Sequence, residues 1–160
     1  MNNWKLTFDH EESPAAEKLI SIFIEVEFEK NKMKDILNID GLFSAVQKQG
    51  FQPLFTCSCG TFGCGGYYIN VSHSDNEIVF RNIYKPVEEP NEAYLIEAFE
   101  CALSWEDLYF IVSEVYEKLV WISGQYQNYD VCSGTYGPGL MNRLSSYGEL
   151  VREVRSRYED

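Results

Sequence analysis

The residues best equipped for chemistry in this 160-residue chain are three cysteines inside one glycine-rich stretch, Phe55-Thr56-Cys57-Ser58-Cys59-Gly60-Thr61-Phe62-Gly63-Cys64-Gly65-Gly66-Tyr67-Tyr68. Cys57, Cys59 and Cys64 form a Cys-x-Cys-x4-Cys pattern and are three of the five cysteines in the protein. Thiolates hold a tetrahedral zinc at about 2.3 Å, and a tight turn commonly supplies two of its ligands. The glycines let the backbone fold closely around an ion or another segment. Cys57 and Cys59 would share one strand face, because side chains alternate with period two. A structural zinc is therefore one expectation, and it lacks a fourth ligand. If Cys59 faces Cys64 across a hairpin turn, His73 falls opposite Gly50, roughly 30 Å along the strand from Cys64. That excludes His73 unless the hairpin opens. Cys101, Cys132, His10 or a carboxylate remain as sources, and no second Cys-x-Cys or Cys-x-x-Cys exists to complete a zinc ribbon.

Two other readings of the same cysteines stand beside zinc. Free cysteine is among the most buried residue types, so all three can serve as small core residues in a glycine-rich hairpin. Thiol redox or nucleophilic chemistry is the third. It is disfavoured because no Lys or Arg lies between Lys48 and Arg81 to lower a thiol pKa. His10 and His73 are the only histidines, and His10, among Asp9, Glu11 and Glu12, reads as part of a surface loop. There is no Gly-x-Ser-x-Gly, His-Glu-x-x-His or phosphate-binding Gly-Lys-Ser/Thr motif, and Gly134–Gly139 reads as a turn. No spacing selects an acid–base pair among 25 carboxylates. The residue inventory points to binding rather than catalysis.

The string Leu54-Phe55-Thr56-Cys57-Ser58-Cys59-Gly60, then Gly63-Cys64-Gly65-Gly66-Tyr67-Tyr68, Val71-Ser72-His73 and the later Ser104-Trp105-Glu106-Asp107-Leu108, resembles a family of small uncharacterised bacterial proteins. The likeness covers Phe51–Leu119 and neither end of the chain. It implies a bacterial cytosolic protein and carries no mechanism.

Charge limits the partners. Thirteen Lys and Arg against 25 Asp and Glu leave a net charge of −12, so nucleic acid and anionic membrane surfaces would meet net repulsion. From Pro86 to Glu117 there are nine acids and no Lys or Arg: Glu88, Glu89, Glu92, Glu97, Glu100, Glu106, Asp107, Glu114 and Glu117. With Glu25, Glu27 and Glu29 they suggest one strongly negative face, either merely solvated or a dock for a basic protein partner. Tyr126, Tyr129 and Tyr136 sit on a loop where they suit recognition, or pack on a sheet. The chain start carries neither a basic n-region nor an apolar h-region, no run of about 18 apolar residues spans a membrane, and the expected compartment is a reducing cytoplasm.

The positioning elements follow from periodicity. Trp4–Phe8 and Ile20–Glu29 alternate as strands, the second with Ile22, Ile24, Val26 and Phe28 inward. Glu11–Ala16 reads as a turn and Asn31–Asn38 as loop. Asp40 caps a short helix through Gln49 that buries Leu42, Phe43 and Val46 and stops at Gly50. Phe51–Cys59, Tyr67–Ser72 and Glu77–Tyr84 read as a meander, with turns at Gly60–Gly66 and Ser74–Asn76, and Ala93–Leu103 as a further strand. Ser104 caps a long helix whose stripe is Trp105, Leu108, Val112, Val115, Leu119 and Ile122, widened by Ile111, Tyr116 and Val120, with Gly124 ending it. Tyr126–Gly139 reads as loop, and a last helix runs from Ser146, in a capping box with Glu149, to Tyr158. The expected fold is one α+β domain: an antiparallel sheet of about five or six strands packed against a long helix as a two-layer sandwich.

Overall fold

A computed structural model describes residues 4–12, 18–28, 33–56, 66–133 and 140–159, and the fold is α+β. Strands β1 (Trp4–Glu12), β2 (Leu19–Phe28), β3 (Met33–Leu37), β4 (Gly50–Thr56), β5 (Tyr67–His73), β6 (Glu77–Tyr84) and β7 (Leu95–Ser104) lie side by side in chain order, each antiparallel to the next. An eighth strand, β8 (Asp130–Ser133), pairs parallel with the first half of β2, where Leu19 meets Asp130. The sheet therefore exceeds the expected five or six strands. The two additions are short: β3 replaces the expected loop at Asn31–Asn38, and β8 interrupts the expected loop at Tyr126–Gly139. A strand of four or five residues carries too few alternations to announce itself, and both gain order from β2.

Helix α1 (Ile39–Gln47) starts at Asn38, whose side chain accepts from the Gly41 N–H at 2.7 Å; Asp40, the expected cap, lies in the first turn. The helix ends two residues before Gln49, at a Lys48 cap, and Gly50 (φ +92°) begins β4 instead. Pro53 sits inside β4, where its missing N–H would break a ladder. The chain answers with a bulge, the register shifting between Gln52 and Phe55. Asn38 N–H then takes the Leu54 carbonyl at 2.8 Å, so the irregular point of β4 anchors the start of α1.

Helix α2 (Trp105–Gln125) begins as expected, with Ser104 accepting from the Asp107 N–H. The whole expected stripe is buried together with Ile111. Tyr116 is half-buried, and Val120 is 44% exposed and does not belong to it. Helix α3 (Leu144–Glu159) starts before Ser146, following a 3-10 turn at Leu140–Arg143, so Ser146 and Glu149 are interior positions and not a capping box. A single apolar cluster joins Ile20, Ile22, Ile24 and Val26 of β2, Phe43 and Val46 of α1, Ile78 and Phe80 of β6, Val112 and Val115 of α2, and Val154 of α3. Glu25 is half-buried and Glu27 exposed on the opposite face of β2, as the alternation requires.

Candidate docking surface

The last two strands of the meander build the most acidic ground. Asn82 adopts φ +60°, a left-handed conformation that Asn tolerates, and forms a bulge on β6 against β5. Its Oδ1 accepts the Phe99 N–H at 3.2 Å and so holds β7 where the ladder slips. Tyr84 next to it is fully buried, its ring edge-on to Phe51 at 4.8 Å and its hydroxyl donating to Glu92 at 2.8 Å. Burial raises its pKa, and the Glu92 carboxylate adds to the shift. Asn91 caps a 3-10 turn at Glu92–Tyr94, and Lys85 N–H closes the connection on the Tyr94 carbonyl at 3.0 Å. This frame projects Tyr94, Leu95 and Ile96 into solvent, 38%, 43% and 54% exposed. Glu88, Glu89, Glu92, Glu97 and Glu100 flank them along the chain, all exposed. Among the described residues only Glu100 of the nine acids has a cationic partner, Arg81 at 2.9 Å.

The nine acids do not make one face. Glu88 to Glu100 lie along β7 and the connection that leads into it, at one end of the strand order. Glu114 of α2 instead borders Leu6 and Phe8 of β1, at the other end, and Glu25 and Glu27 stand on β2. Glu29 lies outside the described residues. The strand order, which the charge run could not reveal, divides the expected single patch.

Cys57, Cys59 and Cys64, with the turn at Gly60–Gly66 up to Gly65, lie outside the described residues, in the connection from Thr56 to Gly66. Their flanks do pair as antiparallel neighbours. Phe55 faces Tyr67 and Gly50 faces Val71, one and two residues off the register that places Cys59 opposite Cys64. The suggested fourth ligands register elsewhere. Cys101 is 5% exposed in the core and pairs with Phe80, which pairs with Val71 and so falls in the row of Gly50. That row is six residues, about 20 Å, from Thr56. Cys132 pairs with Ser21 and His10 with Ile22, whereas Thr56 is in the row of Glu25. His73 donates through Nε2 to the Ala45 carbonyl at 2.7 Å and meets the Trp105 ring edge at 5.3 Å, which gives it a packing role between β5, α1 and α2. Among the described residues no three His, Cys, Asp or Glu side chains are grouped to hold a metal ion.

Two polar groupings escape sequence reasoning because their members lie about a hundred residues apart. His10 is a strand residue of β1, not a surface loop; its Nε2 is 3.2 Å from the Tyr126 hydroxyl and its ring packs edge-on against Trp121 and Tyr126. Tyr126 in turn packs on Tyr129, so both loop tyrosines are half-buried, while Tyr136 lies outside the described residues. The second grouping ties α1 to α3. Arg143 grips both carboxylate oxygens of Asp40 at 2.9 Å, and the Tyr147 hydroxyl donates to the same carboxylate while its ring stacks on Phe43 at 4.2 Å.

Burial pushes the Tyr147 phenol far above its ordinary range, with the Asp40 carboxylate adding to the effect and Arg143 opposing it. A phenol raised in the folded state contributes stability that is whole below the unfolded value near 10 and lost as pH climbs toward the folded one. Urea unfolding between pH ~9 and ~11 should therefore show stability falling, this group adding a slope of up to about 1.4 kcal/mol per pH unit. Tyr147→Phe should reduce that slope and cost about 1–2 kcal/mol at neutral pH through the lost hydrogen bond. An unchanged alkaline slope in the variant contradicts the assignment.

Among the described residues no helix is long and apolar enough to cross a membrane. Scanned against protein-family models, the curated proteins and the solved structures, the chain matches none of them.

Proposed function

We propose that the protein is a non-enzymatic acidic binding protein of a bacterial cytoplasm that docks a basic partner protein through the β7 surface. Its sharpest form is immunity-like masking of a nuclease-type toxin or another nucleic-acid-binding protein. The observation that carries the reading is the trio Tyr94, Leu95 and Ile96, exposed between carboxylates along the chain, of which Glu88, Glu89 and Glu97 have no cationic partner among the described residues. An apolar centre with a charged rim suits protein recognition, and the field of a chain at −12 steers basic partners inward and repels nucleic acid. The bacterial assignment rests on the glycine–cysteine resemblance. In the same reading α2 covers the inner face of the sheet as the second layer of a sandwich. A second reading, a thiol-dependent or zinc-stapled protein using Cys57, Cys59 and Cys64, is supported by the Cys-x-Cys-x4-Cys spacing alone.

The docking reading is tested by affinity capture from native lysate with the parent and with Glu88→Gln/Glu89→Gln/Glu97→Gln. Expected is a basic protein retained by the parent, eluted by salt, and retained at least ~10-fold less by the variant. Equal capture by both, or capture of no basic protein, counts against it.

A further inference from the structure

The strand path from β1 to β7 has two ends, and they differ. On β7 the register slips twice against β6, between Arg81 and Ile83 and between Ile83 and Tyr84, which leaves additional residues on the outer strand. Bulges of this kind twist an edge away and interrupt the row of groups another strand could pair with. β1 has no such protection. All nine of its residues pair with β2 one for one from Trp4 to Glu12, without a bulge and without proline, and among the described residues no strand lies on its outer side.

Its charge is polarised along its length. Lys5 is the only Lys or Arg on β1, and Asp9, Glu11 and Glu12 occupy the far half. Lys5 stands opposite Glu27 of β2, and among the described residues it closes no ion pair within 4 Å. A strand positive at its start and negative toward its end is complementary to itself when antiparallel. A parallel arrangement would set Lys5 against Lys5 and Asp9 against Asp9. In an antiparallel pair, opposed residues share a face, so a two-fold axis must pass through a residue position.

Centring that axis on Thr7 places Lys5 of one copy opposite Asp9 of the other, Leu6 opposite Phe8, Trp4 opposite His10 and Thr7 opposite itself. Lys5, Thr7 and Asp9 are all exposed, while Trp4, Leu6, Phe8 and His10 are half-buried on the other face. Each pair is of a type that stabilises neighbouring strands: opposite charges, apolar with aromatic, two aromatics, and threonine with threonine. Centring on Phe8 instead retains one opposite-charge pairing, Lys5 with Glu11, but opposes Trp4 to Glu12 and Thr7 to Asp9, so fewer of its pairs are complementary.

We propose that β1 is a self-association edge, on which two copies of this chain join antiparallel about Thr7 with two symmetry-related Lys5–Asp9 pairs, continuing one sheet into the next. Seven paired residues bury less than a standard protein interface, so the dimer is reversible, with a dissociation constant on the order of 10 µM or weaker. This surface is separate from the β7 docking surface and does not depend on it.

Sedimentation equilibrium at near-physiological salt, where long-range repulsion is screened beyond about 8 Å, reads the association directly over a hundredfold concentration range. The parent should show a concentration-dependent monomer–dimer equilibrium. Lys5→Asp and Asp9→Lys, both at exposed positions, should leave the circular dichroism spectrum unchanged and each weaken association at least ~10-fold, since each turns two attractive pairs into repulsive ones. An equimolar mixture of the two single variants should recover a heterodimer, because a row of two acids then faces a row of two lysines. The double variant should recover the homodimer. A parent that stays monomeric at about 0.5 mM, a dimer indifferent to both single changes, or a mixture that fails to associate overturns the proposal.

Discussion

Trp105→Ala should unfold about 10 °C below the parent, corresponding to a loss of about 3–5 kcal/mol. The indole is 2% exposed and occupies the first position of α2, where three other elements converge on it. Its Nε1–H donates to the Ser74 carbonyl in the β5–β6 turn at 3.0 Å. The His73 ring meets it edge-on at 5.3 Å, and the Arg157 guanidinium of α3 lies 4.4 Å from its centroid. Truncation removes the apolar transfer energy of a large ring and opens a cavity that these neighbours cannot all close. It also removes the donor to the Ser74 carbonyl, so a part-buried hydrogen bond is lost on top of the packing. Trp105→Phe separates the two contributions. It keeps most of the packing, loses only the N–H, and should cost about 1–2 kcal/mol. Thermal and urea unfolding by circular dichroism measures both, and a Trp105→Ala loss under 1 kcal/mol would place the indole outside the supporting core.

Gly41→Ala should destabilise by about 2–4 kcal/mol although alanine is the better helix former by about 1 kcal/mol. A Cβ at position 41 would sit 2.2 Å from the Pro53 carbonyl oxygen and 2.8 Å from its carbon. Both belong to backbone, so no side-chain rotation relieves the overlap. The helix must move away from β4, and that displacement strains the Asn38–Leu54 hydrogen bond at its start and the Phe43–Tyr147 stack on its far side. Gly124→Ala near the end of α2 is the counter-experiment. It has nothing within 4 Å and no left-handed φ, so propensity acts alone and the change should stabilise by up to about 1 kcal/mol. Effects of the same sign at the two sites would refute the close-contact account.

The elements most legible in the sequence are those whose pattern is long and whose partners are near. The stripe of α2 runs for five turns behind a Ser104 cap, and its burial follows from periodicity and capping alone. β6 and the turn before it occupy the residues that alternation and turn chemistry indicate, Glu77–Tyr84 and Ser74–Asn76. β2 divides into an apolar row from Ile20 to Val26 and an acidic row because a half-buried strand has two faces. Those were local facts, and net charge and the absence of catalytic motifs are equally readable without coordinates.

Other features depended on encounters between distant segments. Asp130–Ser133 is extended because it lies beside Leu19–Ile22, over a hundred residues earlier, and its own four residues contain no comparable instruction. Asp40, Arg143 and Tyr147 become one grouping, and His10 finds Tyr126, only when helices and sheet are assembled. The acidic run from Glu88 to Glu117 looked like one surface in the sequence, but the fold keeps Glu88 to Glu100 on and before β7 and carries Glu114 to β1 at the other end of the strand order. Strand order likewise decided that β1 and β7 end the strand path, and register decided that of these two β7 is bulged and β1 is not. Composition and periodicity determined that this chain is an acidic α+β protein. Which of its charges and edges meet a partner was decided by tertiary pairing, because contact energies fall off within a few ångströms and proximity across the fold is not written in any short stretch of chain.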